Sequence, residues 1–534
     1  SNLGQVILRV NGNSIPPNGI QHPVVRAKII EQKRAIVREI LEPSGALYDL
    51  TKLVINPRAS SQIAEAEPGK PGNSNIEYNP AQWKAVRLAL GMKPGQALLI
   101  QGPPGTGKST TAAEIIYQLL MRDPLVRVLV VSHSNHGVDN MLSKFLPYVK
   151  KLEQVARPVR VGKWERLHEE SRAYFAPPGT SIDDRNVVFT TCDSLALQDA
   201  AGAAHYDYVI LDEANRATVL DSLLALARGQ HFIMVGDDLQ LPPVLSDTER
   251  QLAGSDESMM TSSLFHWLLA RRTSYVLLNQ QNRMHPEIGW IISHVFYGGR
   301  VKNGRNVPHR YVAPWLMPKA AIWIDTSDLR RRREVRGRGN SRRNVAEVNI
   351  VHTLLVRLLK STAQNLSIGV ITTYADQRDF LRRRLARYTH GARHIEIDTV
   401  DSFEGRECDI VLVSLVRSNQ RGDVGFLKQV QRINVALSRA RHLLVVIGDT
   451  STLQEGCFAD LQRHFMRNKS LVKVGDILSR LARSNRSKCL APATINKITK
   501  RWHCGSHGFG TRGGNSAPPV GGPPFCSSPG PTLS

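Results

Sequence analysis

The sequence predicts an α/β fold with parallel sheets, arranged as two similar units. Between about residues 76 and 466, short apolar strands alternate with amphipathic helices, a pattern that is typical of parallel sheets covered by helices. The predicted strands are "ALLIQ", "VRVLVVS", "NVVFTT", "YVILDE", "FIMVGD", "AIWID", "IGVIT", "DIVLVSLV" and "HLLVVIGD". The strand near 235 has a counterpart of similar sequence near 446, which indicates two related units. A chain of 534 residues with 41% hydrophobic content can fill two or three cores.

The two ends of the chain differ from this alternating region. Residues 1–75 combine a strand-like "QVILRV", a helical "VVRAKIIEQKRAIVREIL" and a linker of Gly, Pro and polar residues at 64–74. We expect a small accessory segment there. Residues 467–534 carry eleven Lys and Arg against one Asp, and after about residue 491 they become rich in Gly, Pro and Ser. This composition predicts a basic and largely disordered tail.

The net charge of +24 is concentrated in two patches. The run at 330–343, "RRRREVRGRGNSRR", holds eight arginines and one glutamate, and the tail is the second patch. Concentrated positive charge favours a polyanionic partner. A nuclear-import signal and a merely solvated loop remain alternatives for the run at 330–343.

Cysteine usage and hydropathy narrow the class of protein. The six cysteines form no C-x-x-C pair, which argues against a disulfide framework and a zinc module. No apolar run reaches the roughly 18 residues of a membrane span, and no signal peptide opens the chain. We therefore expect a cytoplasmic or nuclear protein without a membrane partner.

A glycine-rich loop, "GPPGTGKS", lies between a predicted strand and a predicted helix. It matches the phosphate-binding pattern G-x-x-x-x-G-K-[ST], in which backbone N–H groups surround phosphates at a helix N-terminus. Lys108 would supply positive charge to the β and γ phosphates, and Ser109 would offer a hydroxyl to Mg²⁺. The nucleotide-binding residues predicted from this loop are Gly102, Pro103, Gly105, Thr106, Gly107, Lys108, Ser109 and Thr110.

Carboxylates at the ends of two later strands complete a site for nucleotide hydrolysis. "YDYVILDEAN" places Asp212 and Glu213 after an apolar strand, where Asp212 would hold Mg²⁺ and Glu213 would position or deprotonate the attacking water. "VGDDLQLPPV" places Asp237 and Gln240 at the end of another strand, in a position suited to sensing the γ-phosphate.

Six motifs in order resemble those of superfamily 1 helicases of the nonsense-mediated-decay and senataxin type. They are "GPPGTGKST", "LDEA", "GDDLQLPP", "NRMHP", "TVDSFEGRECDIVLVSLVRS" and "NVALSRAR". The resemblance covers about residues 76–450. It implies two RecA-like domains, at 76–270 and 271–466, with ATP between them. It also implies single-stranded RNA or DNA across their top and movement from 5′ to 3′.

The resemblance assigns roles to further residues. Arg439, on a predicted helix over 431–442, and Arg283 match arginines that reach the γ-phosphate from the second domain. Gln82 resembles a glutamine that reads adenine, and Glu407 resembles the residue that couples motif five to the nucleotide. Matches to nucleic-acid contacts are Ser134, Asn135, Thr191, Thr373 and Thr399. Arg441 is left open between a structural role and a nucleic-acid contact.

Three residues depart from the family pattern. Asn282 replaces a tyrosine, Arg216 replaces a glutamine in "DEANR", and Glu404 replaces a glutamine in "FEG". None of these changes removes a catalytic group, so we expect an ATP-dependent helicase or translocase. The three changes leave an ATP-gated RNA-binding clamp as the alternative, and an ATPase scaffold is a third class. RNA and DNA remain equal candidates. We expect a monomer whose tail could contact protein regulators.

Overall fold

Two parallel sheets with helices on their faces make up the described part of the chain. The computed structural model describes residues 62–177, 180–198, 205–244, 262–271, 273–361, 366–389 and 395–486, with isolated positions before residue 62. Most of the predicted accessory segment and the Gly- and Pro-rich end of the tail lie outside these residues. Both sheets belong to one compact unit.

The first sheet is formed by strands from the first half of the chain and one strand beyond it. Its strands are β1 (Ala97–Gln101), β2 (Val128–Ser132), β3 (Pro158–Val161), β4 (Phe175–Ala176), β5 (Val187–Thr191), β6 (Tyr206–Asp212), β7 (Gly229–Gly236) and β8 (Tyr275–Leu277). Among the described residues these eight strands are parallel and lie in the order β4-β3-β5-β2-β6-β7-β1-β8. We call this sheet with its helices lobe 1.

Helices cover both faces of this sheet. They are α1 (Ser74–Glu77), α2 (Pro80–Leu90), α3 (Lys108–Arg122), α4 (Asn135–Leu152), α5 (Cys192–Gln198), α6 (Val219–Leu226) and α7 (Leu264–Ala270). Successive side chains of a strand point to opposite faces. Leu98 and Ile100 accordingly pack in the core that includes α2, α3 and α4, while Leu99 packs in the core that includes α6 and α7.

The second sheet is formed later in the chain, and we call it with its helices lobe 2. Its strands are β11 (Ala321–Asp325), β14 (Ile368–Thr372), β15 (Ile395–Thr399), β16 (Cys408–Ser414), β17 (Ala440–Gly448) and β18 (Leu471–Lys473), and the short pair β9 (Gln280–Gln281) and β10 (Lys302–Asn303) precedes them. Within the described ranges the six strands are parallel in the order β15-β14-β16-β17-β11-β18. All nine predicted strands are present in the two sheets.

Lobe 2 carries its own helices and an antiparallel hairpin. The helices are α8 (Pro286–Phe296), α9 (Val345–Leu359), α10 (Ala375–Thr389), α11 (Val430–Leu437), α12 (Cys457–Arg467) and α13 (Val474–Arg486). The hairpin pairs β12 (Val335–Arg336) with β13 (Arg342–Arg343). In the part of the chain that the structure describes, no helix has both the length and the apolar character needed to cross a membrane.

Three sequence predictions differ from the structure. Strand β8 completes the first sheet, although we placed the domain boundary at 270 and 271. Strand β18 and helix α13 lie within 467–534, which we predicted to be a largely disordered tail, and they are ordered because β18 pairs with β11. The predicted helix over 431–442 is wrong in its second half: α11 ends at Leu437, and the chain enters β17 at Ala440 because that segment pairs with β16 and β11.

Candidate functional site

The glycine-rich loop connects β1 to α3. Gly105 and Gly107 have φ of +75° and +83°, the left-handed region in which glycine is favoured. At Gly105 a Cβ atom would lie 2.6 Å from the Cβ of Arg283, so the close approach of lobe 2 also requires glycine there. Lys108 Nζ donates to the Gly102 carbonyl at 2.5 Å. The lysine is buried, and burial lowers its pKa against the opposing effects of nearby acidic groups.

Contacts within and around this loop fix its shape. Thr106 Oγ1 donates to the Pro103 carbonyl at 2.7 Å. Gln82 Nε2 donates to the Gly107 carbonyl at 3.2 Å and to Thr111 Oγ1 at 2.8 Å. Gln82 is held by the N-terminal cap of α2, where Asn79 Oδ1 accepts from its backbone N–H. The predicted adenine-reading glutamine therefore lies directly against the phosphate-binding loop.

Asp212 and Ser109 form a set of ligands that fits a hard divalent cation. Ser109 Oγ lies 3.4 Å from Asp212 Oδ2, while Asp212 Oδ1 is buried without a hydrogen-bond partner among the described residues. Oxygen donors of this kind are those that Mg²⁺ prefers. Burial, and then the neighbouring Glu213, raises the pKa of Asp212 to about 7. A bound cation would favour the charged carboxylate and offset that effect.

Glu213 is held in one orientation by hydroxyl groups. Its Oε2 accepts from Ser132 Oγ at 3.1 Å and from Ser134 Oγ at 2.9 Å. Its φ of +52° is unusual for a residue with a side chain, and such backbone strain occurs at functional sites. Ser134 also caps α4 by accepting from the Gly137 N–H. The carboxylate predicted to act on water is thus fixed by the last residue of β2 and by the segment that follows it.

A buried hydrogen-bond chain joins the third motif of lobe 1 to lobe 2. Asp237 Oδ2 accepts from Gln240 Nε2 at 2.5 Å and from Tyr297 Oη at 2.6 Å. Asn434 Nδ2 donates to Tyr297 Oη at 2.8 Å and to the Leu239 carbonyl at 2.7 Å. Burial raises the pKa of Asp237 to about 6, and Lys108 opposes that shift. Tyr297 and Asn434 were not predicted; Asn434 stands in the quoted motif "NVALSRAR", but nothing in the sequence pointed to Tyr297.

Arg439 lies in the turn between α11 and β17 and is 2% exposed. Its Nε donates to the Val435 carbonyl at 3.0 Å, and its Nη2 donates to Ser438 Oγ at 3.0 Å. Burial and then the adjacent Arg283 lower the pKa of Arg439 to about 10. The half-buried Arg283 and the buried Arg439 repel each other, and an anionic ligand between them would relieve that repulsion.

Arg283 lies where the two lobes meet at the glycine-rich loop. Its Nε forms an ion pair with Glu407 Oε2 at 2.5 Å, and its Nη1 lies 3.4 Å from the Ser438 carbonyl. The preceding Asn282 donates its backbone N–H to the Gly105 carbonyl at 2.8 Å. Arg283 therefore contacts both the phosphate-binding loop and Glu407, the residue predicted to couple motif five to the nucleotide.

A cavity of about 1070 Å³ lies between the lobes and is lined by polar residues of both. Lobe 1 contributes most of the predicted nucleotide site, and lobe 2 contributes both arginines. The predicted residues that line it are Gln82, Gly105, Thr106, Gly107, Lys108, Ser109, Thr110, Asp212, Glu213, Gln240, Arg283, Glu407 and Arg439. Asn140 is a further polar residue there that the sequence did not single out, and its Nδ2 donates to Ser109 Oγ at 3.2 Å.

Two departures from the family pattern contact each other across the cleft. Arg216 of lobe 1 forms an ion pair with Glu404 of lobe 2 through its Nη1, and both side chains are largely buried. Burial raises the pKa of Glu404 to about 7, and Arg216 opposes that shift. The next residue, Gly405, has its carbonyl 3.3 Å from His136 Nε2 of lobe 1. The loop at 404–407 is therefore tied to lobe 1 beside the cavity.

The predicted nucleic-acid contacts lie at the carboxyl ends of parallel strands. Ser134 and Asn135 follow β2, Thr191 ends β5, Thr373 follows β14 and Thr399 ends β15. Ligands of open parallel sheets bind outside this edge. Several of these side chains also have structural partners: Thr191 Oγ1 bonds to Ser194, and Asn135 Oδ1 accepts from Arg160. Thr373 Oγ1 is buried without a partner among the described residues.

Comparison with known proteins agrees with this arrangement. Two family models, each described as an AAA domain, match residues 77–247, in two adjoining pieces, and residues 260–451. Regulator of nonsense transcripts 1 from Caenorhabditis elegans is 29% identical over 507 residues, which cover 85% of this chain and 46% of that protein. Its Arabidopsis thaliana homolog is 30% identical over 456 residues, 76% of this chain and 35% of that protein.

A third relative is named for DNA. The DNA polymerase alpha-associated DNA helicase A of Saccharomyces cerevisiae is 26% identical over 494 residues, which cover 78% of this chain and 72% of that protein. The chain spans less than half the length of the first two relatives. The matched regions contain all six motifs, the first sheet and five of the six strands of the second sheet. The chain belongs to the superfamily 1 helicases of the nonsense-mediated-decay and senataxin type.

Proposed function

We propose that the chain is an ATP-dependent helicase or translocase that acts on single-stranded RNA or DNA in the 5′ to 3′ direction. The observation that carries this proposal is the cavity in which the phosphate-binding loop and carboxylates of lobe 1 face Arg283 and Arg439 of lobe 2. A site divided between two lobes changes when the lobes move, which is how hydrolysis can drive motion along a strand. We further propose that the chain acts as a monomer and that its tail is available to protein regulators.

The side chains of the cavity suit phosphoryl transfer to water. Ser109 and Asp212 would hold Mg²⁺, which neutralises charge on the phosphates when bound. Lys108 would bind the β and γ phosphates from lobe 1. Glu213 would orient the attacking water, since its carboxylate is already fixed by two hydroxyls. Arg439 and Arg283 would stabilise charge that develops on the γ-phosphoryl group.

ATP turnover and strand displacement test this function. We expect turnover to rise when matched single-stranded RNA or DNA oligonucleotides are added, and a labelled strand to be displaced from a duplex with a 5′ overhang. Lys108→Ala serves as the inactive control. Stimulation without displacement would support the RNA-binding clamp instead. A rate of ATP turnover that does not change when nucleic acid is added would support the ATPase scaffold. The ratio of the stimulation by RNA to the stimulation by DNA identifies the substrate.

The Arg216–Glu404 pair predicts that the two lobes are coupled through complementary charge. Removing one partner of a buried pair leaves the other charge without compensation, a large penalty. We expect Arg216→Glu and Glu404→Arg each to lower nucleic-acid-stimulated turnover at least about tenfold. The double variant with the charges exchanged should recover to within about threefold of the native chain.

The neutral double variant Arg216→Gln with Glu404→Gln is the matched control. It restores the residues of the family pattern, so we expect stimulated turnover to be retained and its dependence on salt to become weaker. An exchanged double variant that is as impaired as the worse single variant would show that the two charges do not act on each other. That result would support the RNA-binding clamp, because the changes at residues 216 and 404 would then have removed the coupling between ATP hydrolysis and lobe 2.

A further inference from the structure

We propose that the arginine hairpin, residues 330–343, binds the phosphate backbone of a single strand through Arg336, Arg338 and Arg343. The proposal rests on the proposed action on nucleic acid and identifies a contact surface on lobe 2 for it. The sequence alone did not show whether the eight arginines of this run are solvated or structural. The structure places five of them in two groups with different surroundings: Arg332 and Arg333 beside Asp449, and Arg336, Arg338 and Arg343 on the exposed part of the hairpin.

The first group anchors the base of the hairpin. Arg332 Nε pairs with the buried Asp449 Oδ2 at 3.0 Å. On the same side, Glu334 Oε1 pairs with Arg417 Nε at 3.1 Å. At the other end of the run, Asn344 Nδ2 donates to the Arg332 carbonyl at 2.8 Å and to the Val416 carbonyl at 3.0 Å. The base is therefore tied to the carboxyl ends of β16 and β17.

The second group lies on the exposed part of the hairpin. Arg336, Arg338 and Arg343 are exposed, and within the described ranges no carboxylate forms an ion pair with any of their side chains. The guanidinium of Arg343 lies 5.9 Å from the centre of the Phe380 ring. Three exposed cations without acidic partners among the described residues are suited to phosphates, which arginine binds through two parallel hydrogen bonds.

The position of the hairpin places these cations beside the edge of lobe 2 that carries the predicted nucleic-acid contacts. Asp376, in the first turn of α10, accepts from the Arg338 N–H at 2.9 Å and donates its own N–H to Ser341 Oγ at 3.0 Å. Helix α10 begins two residues after Thr373, which follows β14. The hairpin therefore borders the carboxyl edge of the second sheet, the same edge that carries Thr373 and Thr399.

The triple variant Arg336→Gln, Arg338→Gln and Arg343→Gln tests the surface without removing its anchors. Deleting residues 330–343 would also remove Arg332 and Glu334 from their ion pairs. Affinity for a labelled single-stranded RNA, and for DNA of the same sequence, is measured by fluorescence anisotropy over a series of salt concentrations. Each phosphate contact on a single strand contributes about 0.7 to the slope of log affinity against log salt. Loss of three contacts should lower the slope by about 2 and weaken binding by roughly 100-fold at about 0.1 M salt.

A control variant removes the same charge from the opposite edge of lobe 2. Lys360, Arg384 and Arg387 are exposed and lie outside the basic tail, in the segments that precede the amino ends of β14 and β15. Changing these three to Gln should leave the slope unchanged, and both variants should keep the thermal stability and the nucleic-acid-free ATP turnover of the native chain. Equal slopes for the hairpin variant and the native chain would overturn the hairpin proposal alone. A native chain that binds neither RNA nor DNA would instead overturn the proposed function.

Discussion

Arg439→Ala should lower the rate of ATP turnover by roughly 10³-fold or more, the range observed for arginines that complete a phosphoryl-transfer site. The residue is proposed to act on charge that develops during transfer, and such interactions affect turnover more than ground-state binding. Single-turnover hydrolysis and the affinity for a fluorescent ATP analogue measure the two effects separately. We expect the affinity for ATP and for a single strand to change little.

The buried contacts of Arg439 require a check on folding. Its guanidinium donates a hydrogen bond to the Val435 carbonyl, so the thermal stability of the variant must be compared with that of the native chain before turnover is interpreted.

Arg283→Ala should behave similarly, and the double variant should lose less than the product of the two single losses, because both residues serve one closed state. Arg441, exposed at the start of β17, is the comparison residue, with a loss under about tenfold expected for Arg441→Ala. A larger loss at Arg441 than at Arg439 would contradict the assignment.

Glu213→Gln should lower turnover by about 10²- to 10⁴-fold, the contribution typical of a positioned general base. The substitution preserves the shape of the side chain, which can still form hydrogen bonds with the hydroxyls of Ser132 and Ser134. It removes the negative charge and the basicity of the carboxylate. ATP binding should therefore persist, and the variant should trap the complex with ATP and a single strand. Turnover is measured by phosphate release, and binding by calorimetry with ATP and Mg²⁺.

The exposed glutamate at 165 provides a matched control for this charge change. Glu165→Gln alters the same type of side chain in lobe 1 at a position that does not line the cavity. Its turnover should equal that of the native chain. If Glu213→Gln hydrolyses ATP within tenfold of the native rate, the water is activated by another group and the role proposed for Glu213 is wrong.

Local sequence patterns predicted the elements that have strong hydrophobic signals. The nine predicted strands are buried and apolar, and their order carries the phosphate-binding loop and the acidic motifs to one edge of a sheet. Strand β15, "IEIDT", was missed because it lies at the edge of its sheet and alternates apolar with acidic residues. Strand β18 was missed because the positive charge around it resembled a tail.

Contacts between distant segments could not be predicted from local patterns. The segment at 431–442 fits both a helix and a helix followed by a strand, and only pairing with β11 and β16 decides where the helix ends. Arg216 and Glu404 are 188 residues apart in sequence, so each appeared as an isolated departure until the fold brought them together. In the arginine run, sequence could not distinguish the anchoring Arg332 from the exposed Arg336, because the difference depends on Asp449.

The Tyr297 hydroxyl carries one of the polar bonds between the lobes, the bond to Asp237, while the bond from Asn434 to the Leu239 carbonyl is another. The hydroxyl donates to Asp237 and accepts from Asn434, so a phenylalanine of the same shape would remove both bonds at once. Tyrosine and phenylalanine codons differ by a single base. One mutational step can therefore remove a polar bond between the lobes while the bond from Asn434 to Leu239 persists, and Asp237 would keep Gln240 as its partner.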